Sequence, residues 1–482
     1  MRTNIYKVSG LLMVIMFLIS CKKDFLEIVP KGKLVASTLK DYDLLMNNIS
    51  FYKMDFSDVI VVMGDEVAVE QNYFQNSTGE VQRGFTWEDY LYTPGQDEVV
   101  YTTNQLLNLY TCNKIINEVT TISDAAAEQR TALQAEAIAT RAWINFTFIN
   151  HYGKPYLEST AATDPGFPII KEANINAKDF KRNSVKEVYD QIISDLQTAI
   201  VSLPPKSAFV TRMSRPAARG LLGKVYLFMG RYQDALGQFN DAFKDLASVA
   251  SPASLYNYNE AFAAGGAFSP FGRFGPDYPG TNYSKYQESV LLKTVSLSGA
   301  NYGYFGLVMP PETMNLYSAS DLRRNFYTNK HPDFTPMMGG LYRKYANYSH
   351  VGIELADMLL MRAEARVRTS DFAGAKADVE LLRSNRMPVT DAGVPAAITS
   401  NTGLLKFIID ERTREFAGEG QRWLDIRRLS VDPVFSSRTY SHKAYAADGV
   451  TVSHTYQLRP VRFTLRLPQS ILQANPGMTD NP

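Results

Sequence analysis

The chain has 482 residues, 50 basic against 49 acidic side chains, a formal net charge of +1 and two cysteines. Near-neutrality excludes the basic footprint of a nucleic-acid binder. Two cysteines exclude a disulfide framework, so stability rests on an apolar core, which a chain of this length can supply.

Arg2 and Lys7 flank the start of an apolar run, Val8 to Ile19. It has signal-peptide length, short of the ~20 residues of a membrane-spanning helix. It closes on Leu18-Ile19-Ser20-Cys21, the small-residue pattern of a bacterial lipoprotein cleavage site. Residues 1–20 therefore read as a lipoprotein signal peptide and Cys21 as the lipidation site, carrying palmitate-type acyl chains. Each buried CH₂ contributes about 0.8 kcal/mol, so several chains on Cys21 anchor the protein without another apolar element. Beyond Cys21 no run approaches spanning length.

Helical periodicity then dominates. One predicted hairpin joins 99–119 to 125–150, and a second joins 184–203 to 215–229. Ser184 with Glu187 forms a capping box, and Leu203-Pro204-Pro205 ends its helix. Leu221, Val225 and Phe228 share one face of 215–229. After the Gly230-Arg231 turn, Tyr232, Ala235, Phe239 and Ala242 show the spacing of a tetratricopeptide-like second helix. That spacing returns as Phe372, Ala375, Val379 and Leu382, preceded by a helix over 353–368. A last helix is predicted from about Gly403 to Phe416. The fold class is mostly α, about four stacked helical pairs forming one scaffold. Residues 154–182 read as a long loop. Residues 250–350, rich in Gly, Pro, Tyr and Asn, read as an irregular insert packed on the scaffold, with short strands such as 289–295.

Ile408 to Leu429 reads IIDERTREFAGEGQRWLDIRRL. It resembles the C-terminal hallmark of the SusD/RagB family of Bacteroidetes outer-membrane nutrient-binding lipoproteins, through Glu411, Arg412, Glu415, Phe416, Glu419, Gly420, Arg422, Trp423, Asp425 and Arg427. Gln421 stands where many members carry His. Leu359, Leu360, Met361, Ala363, Glu364 and Ala365 resemble a second family helix. Arg141-Ala142 with Tyr152-Gly153-Lys154-Pro155 resembles a third. The resemblance implies that residues 21–482 form a single SusD-like domain, a tetratricopeptide-like scaffold of four pairs supporting an irregular ligand-binding half. It also implies a non-enzymatic protein at the cell exterior. Such a protein binds an oligosaccharide or peptide and passes it to a SusC-like TonB-dependent transporter.

The charges at 411–428 admit two readings. A glycosidase would need one carboxyl of raised pKa. Interleaved arginines instead suggest a buried ion network tying helix to helix, because paired carboxylates are poor general acids. On this reading Glu411, Arg412, Glu415, Glu419, Arg422, Trp423 and Asp425 are structural. The five histidines show no metal-binding spacing, and no nucleophile elbow or phosphate-binding loop occurs, so no cofactor is expected. Asp65 and Glu66, with Glu70 nearby, could accept sugar hydroxyls, bind Ca²⁺ or make an ordinary cap or loop contact.

A sugar presents an apolar C–H face and a rim of hydroxyls, so aromatics flanked by polar groups are the ligand candidates. Trp87, with Tyr90 and Tyr92, leads, the alternative for Trp87 being core packing. Phe271, Arg273, Phe274, Tyr278 and Tyr283 form a second group, and Tyr302 and Tyr304, with Phe305, a third. Trp143 and Trp423 lie inside helical motifs and read as structural.

Overall fold

The computed structural model describes residues 36–54, 59–76, 79–93, 100–272, 275–277, 286–296, 306–345 and 348–482. The signal peptide and Cys21 lie outside the described residues. Nine helices build the scaffold: α1 (Val100–Glu118), α2 (Ala127–Tyr152), α3 (Val185–Ser202), α4 (Arg215–Phe228), α5 (Tyr232–Ala247), α6 (Leu355–Arg368), α7 (Phe372–Ser384), α8 (Asn401–Phe416) and α9 (Gln421–Leu429). Each packs on its successor from α1 to α7. α6 also packs on α8, and α8 on α9. Most helices thus have a neighbour on either side, so a predicted pair such as α1 with α2 is one step in a continuous stack.

Local chemistry sets the boundaries. Ser184 caps α3, its backbone N–H donating 2.7 Å to Glu187 while its hydroxyl accepts from the Glu187 N–H. Gly230, at φ +74°, makes the α4–α5 turn, a left-handed conformation that glycine adopts without steric cost. Ala235, Phe239 and Ala242 of α5, and Ala375, Val379 and Leu382 of α7, are all buried. Phe239 presses on Gly223 of α4 so closely that a Cβ there would sit 2.7 Å from its ring. Ser400 accepts from the Gly403 N–H at 3.1 Å, so α8 starts at Asn401 rather than Gly403. The hallmark segment is not one helix. It breaks at Gly418 (φ +70°) and Gly420 (φ +88°) before α9.

The irregular half carries a four-stranded sheet that only the folded chain reveals. We label its strands β1 (Ala68–Glu70), β2 (Leu307–Val308), β3 (Ser441–Tyr445) and β4 (Val452–Gln457), in spatial order β4-β3-β1-β2. β3 and β4 form an antiparallel hairpin, β1 joins β3 in parallel, and β2 closes the far side antiparallel. The expected strand near 289–295 is present as Ser289–Leu291 and Thr294–Ser296. Ser289–Leu291 pairs with Ile353–Glu354 at the entrance to α6, which fixes that part of the insert to the scaffold. Among the described residues no helix is long and apolar enough to cross a membrane.

Candidate functional site

The hallmark charges form a buried ion network. Glu411 accepts from Arg323 at 2.7 Å, from Arg383 at 2.9 Å and from Arg414 at 2.8 Å. Glu415 accepts from Arg323 at 2.8 Å and from Arg386 at 2.9 Å, and Arg386 also forks onto Glu288. On the other side of α8, Arg412 bridges Asp357 and Asp425, both at 2.7 Å, and Arg428 bridges Asp425 and Glu364. Burial pushes the Glu411 carboxyl up, but Arg323, Arg414 and Arg383 outweigh it and hold it well below the usual carboxylate range. Asp425, buried between Arg412 and Arg428, is held at about 2 by the same balance. Carboxyls this acidic carry no proton to donate near neutral pH. Trp423 is buried with its ring 6.3 Å from that of Phe463, while Lys344 pairs with Glu419.

Trp87 and Glu66 are turned inward and Asp65 is half-buried in an ion pair, so the structure favours core packing for Trp87 and an ordinary contact for the two acids over ligand binding. Trp87 is 2% exposed and donates its indole N–H to the Met63 carbonyl at 3.1 Å. Its ring stacks 3.8 Å from His442, which is sandwiched against Phe85 on the other side at 4.2 Å. A ring covered in this way offers no face to a sugar. Asp65 is taken by Arg422, whose Nε lies 2.5 Å away. Glu66 is buried and accepts from the Gly418 N–H at 3.2 Å, and its carbonyl accepts from Thr313. Burial, then the Asp65 charge, push Glu66 up to about 7. These two acids brace the N-terminal segment against the α8–α9 break. Among the described residues no group of three His, Cys, Asp or Glu is placed to hold a metal ion.

Other candidates remain at the surface. Phe271 is 52% exposed, its ring 6.0 Å from that of Phe262. Tyr90 is 43% exposed, with the Arg466 guanidinium 4.4 Å over its ring and donating to its hydroxyl at 3.0 Å. Tyr92 is half-buried against the core. Arg273, Phe274, Tyr278, Tyr283, Tyr302 and Tyr304 lie outside the described residues.

The fold also assembles a cluster that the sequence reading passed over. β1 ends at Glu70 and the chain turns at once into a short helix, Gln71–Phe74, placing Tyr73 one turn on. His331, from a loop closed by the Lys330–Pro336 bridge, brings Nδ1 to 3.5 Å from Glu70 Oε2 and its ring to 5.3 Å from that of Tyr73. Gly306 (φ +69°) backs the cluster, and a Cβ there would lie 2.6 Å from the Tyr73 Cβ. Burial raises the Glu70 carboxyl to about 7. Burial lowers His331 and raises Tyr73. Glu70 and His331 are 261 positions apart in sequence order, and no local pattern links them.

Comparison with known proteins gives a consistent result. Residues 280–482 match the family described as the SusD family, and residues 24–227 match one described as "Starch-binding associating with outer membrane". The chain is 26% identical over 348 residues to SusD-like protein P2 of Formosa agariphila, covering 62% of this chain and 65% of that protein's length. A putative sugar binding protein from Bacteroides vulgatus superposes with a TM-score of 0.70 at 23% identity, covering 93% of this chain and 99% of that one. A SusD superfamily protein from Bacteroides thetaiotaomicron gives 0.70 at 20% identity, covering 92% and 100%. At these identities the structural likeness establishes the fold.

Proposed function

This chain belongs to the SusD/RagB family, and we propose that it captures a glycan or oligosaccharide at the outer membrane and delivers it to a SusC-like TonB-dependent transporter. The observation that carries this reading is the pair of family matches. They fall on opposite halves of the chain, and one is described as starch-binding and associated with the outer membrane. The family is one of nutrient binding rather than catalysis, and the Arg-paired state of Glu411 and Glu415 makes this motif pair poor general acids. On this reading the lipid anchor is Cys21, and the family role, not the anchor, puts the folded part at the cell exterior. Capture is equilibrium binding at the irregular half, where Phe271 and Tyr90 present accessible rings, followed by hand-over to the transporter.

The test is binding of the full-length lipidated chain, in detergent, to a panel of polysaccharides and oligopeptides, with product analysis. A glycan bound without shortening is the expected result. Binding to peptides alone would assign the chain to peptide capture within the same family, and release of shorter sugars would overturn the non-catalytic reading.

A further inference from the structure

Glu70 is an acceptor without a donor. Its residue is 6% exposed, yet among the described residues no N–H or O–H bonds its carboxylate. The His331 nitrogen at 3.5 Å is too distant for a normal hydrogen bond. The carboxylate oxygens are nonetheless not fully enclosed, so donors arriving from outside can reach them. Arg343, on the following strand, donates its Nε to the Lys330 carbonyl at 2.6 Å. Asp333 is bonded by the Thr335 N–H and hydroxyl and adds a second negative charge beside His331 and Tyr73.

We propose that Glu70, Tyr73 and His331 form a recognition point for a neutral saccharide, with Glu70 accepting ring hydroxyls and His331 and Tyr73 contacting the sugar edge. The proposal rests on the saccharide-capture reading above and adds a position and a ligand class. Hydroxyls supply the donors that Glu70 lacks. A uronate would instead set a further carboxylate against Glu70 and Asp333. The titratable groups beside Glu70 are Tyr73 on the adjoining helix and His331 on the loop, with Asp333 and Arg343 acting in turn on His331. Burial raises Glu70 to about 7, inside the window from pH 6 to 8, while burial lowers His331 and raises Tyr73, and Thr335 lowers Asp333. An ionised carboxylate is the stronger acceptor, so affinity should rise across that window.

The experiment titrates the full-length chain, in detergent, with soluble starch, laminarin, mannan, xylan, polygalacturonate and trilysine at pH 6, 7 and 8. Glu70→Gln and His331→Ala are measured alongside, each with a melting temperature. The expected result is binding of a neutral glycan that tightens from pH 6 to 8. Glu70→Gln should weaken it about tenfold and flatten the pH profile without lowering the melting temperature, and His331→Ala should weaken it less. A wild type that binds a neutral glycan, with both variants unchanged in affinity and pH profile, would overturn this site and leave the family function standing. Preference for polygalacturonate or trilysine would overturn the neutral-sugar assignment. If no saccharide binds, the capture reading falls and this inference with it.

Discussion

Replacing Trp87 separates core from ligand surface. The indole is 2% exposed, hydrogen-bonded to the Met63 carbonyl and stacked on His442. Trp87→Ala removes its apolar burial and leaves a cavity, at about 3–5 kcal/mol. It also strips one face from a buried imidazole whose two nitrogens lie 2.6 Å from the Phe85 and Gly64 carbonyls. Alanine would still have to adopt the left-handed backbone at φ 51°, so no strain is released to offset the loss. A penalty of about 4 kcal/mol lowers the melting temperature by roughly 3–5 °C in a chain of this size. Trp87→Phe keeps a ring against His442 and loses chiefly the hydrogen bond, at about 1 kcal/mol. Differential scanning fluorimetry gives the melting temperatures, and calorimetry with the bound glycan gives affinity, which should stay within about twofold where the variant is folded. If Trp87→Ala melts within about 2 °C of wild type and its affinity falls tenfold, the indole is a ligand surface and the burial argument fails.

Glu411→Ala leaves Arg323, Arg383 and Arg414 without a shared partner, so chemical denaturation should show a loss of about 3–5 kcal/mol; an unchanged midpoint would mean that the network is dispensable. Gly223→Val should destabilise by about 1–3 kcal/mol through overpacking against Phe239, and Phe239→Leu in the same chain should recover part of that loss. Glu354 is buried, accepts among the described residues only from Ser289, and is raised by burial to about 8 from the 4.5 of an ordinary glutamate. Above pH 4.5 the unfolded chain releases this proton while the folded chain keeps it, so the group lowers stability progressively up to pH 8. Glu354→Gln should therefore be more stable than wild type at pH 8 and nearly equal at pH 4.5, and equal stability at both would refute the assignment.

The helical stack was legible because its signals are local. Ala235 and Phe239 recur at one-turn spacing, and Ser184 and Glu187 announce a cap in adjacent turns of chain. The motif at 408–429 declared itself by charge, but its partners did not. Arg323 and Glu288 come from the insert, and Asp65 from 357 residues before Arg422, distances at which sequence pattern carries no register. Trp87 misled for a related reason. Phe85-Thr86-Trp87-Glu88-Asp89-Tyr90 alternates rings with polar groups as a sugar platform would, and only His442, arriving on β3, shows that one ring is sealed. The sheet itself joins residues near 68, 307 and 441, and strands of two to six residues leave little pattern to read.

The ion network explains how an irregular half can be held in a defined position on a helical stack. Its charges balance in two groups. Asp321, Glu288, Glu411 and Glu415 face Arg323, Arg383, Arg386 and Arg414. Asp357, Glu364, Asp425 and Asp432 face Lys224, Arg368, Arg412 and Arg428. Balanced, multiply bonded clusters are the condition under which buried charge is tolerable, and removing one member is then far more costly than the cluster's net contribution. The first group reaches from α8 to α7 and to the insert, and the second reaches from α8 and α9 to α4 and α6. The α8–α9 corner is therefore the joint between scaffold and loops, and Asp65 and Glu66 extend it to the segment leading into β1 and Glu70. Directional bonds of this kind fix orientation more tightly than apolar contact does. Loops that carry a surface need their bases fixed in this way, and the motif supplies that for the insert and for the segment leading into β1.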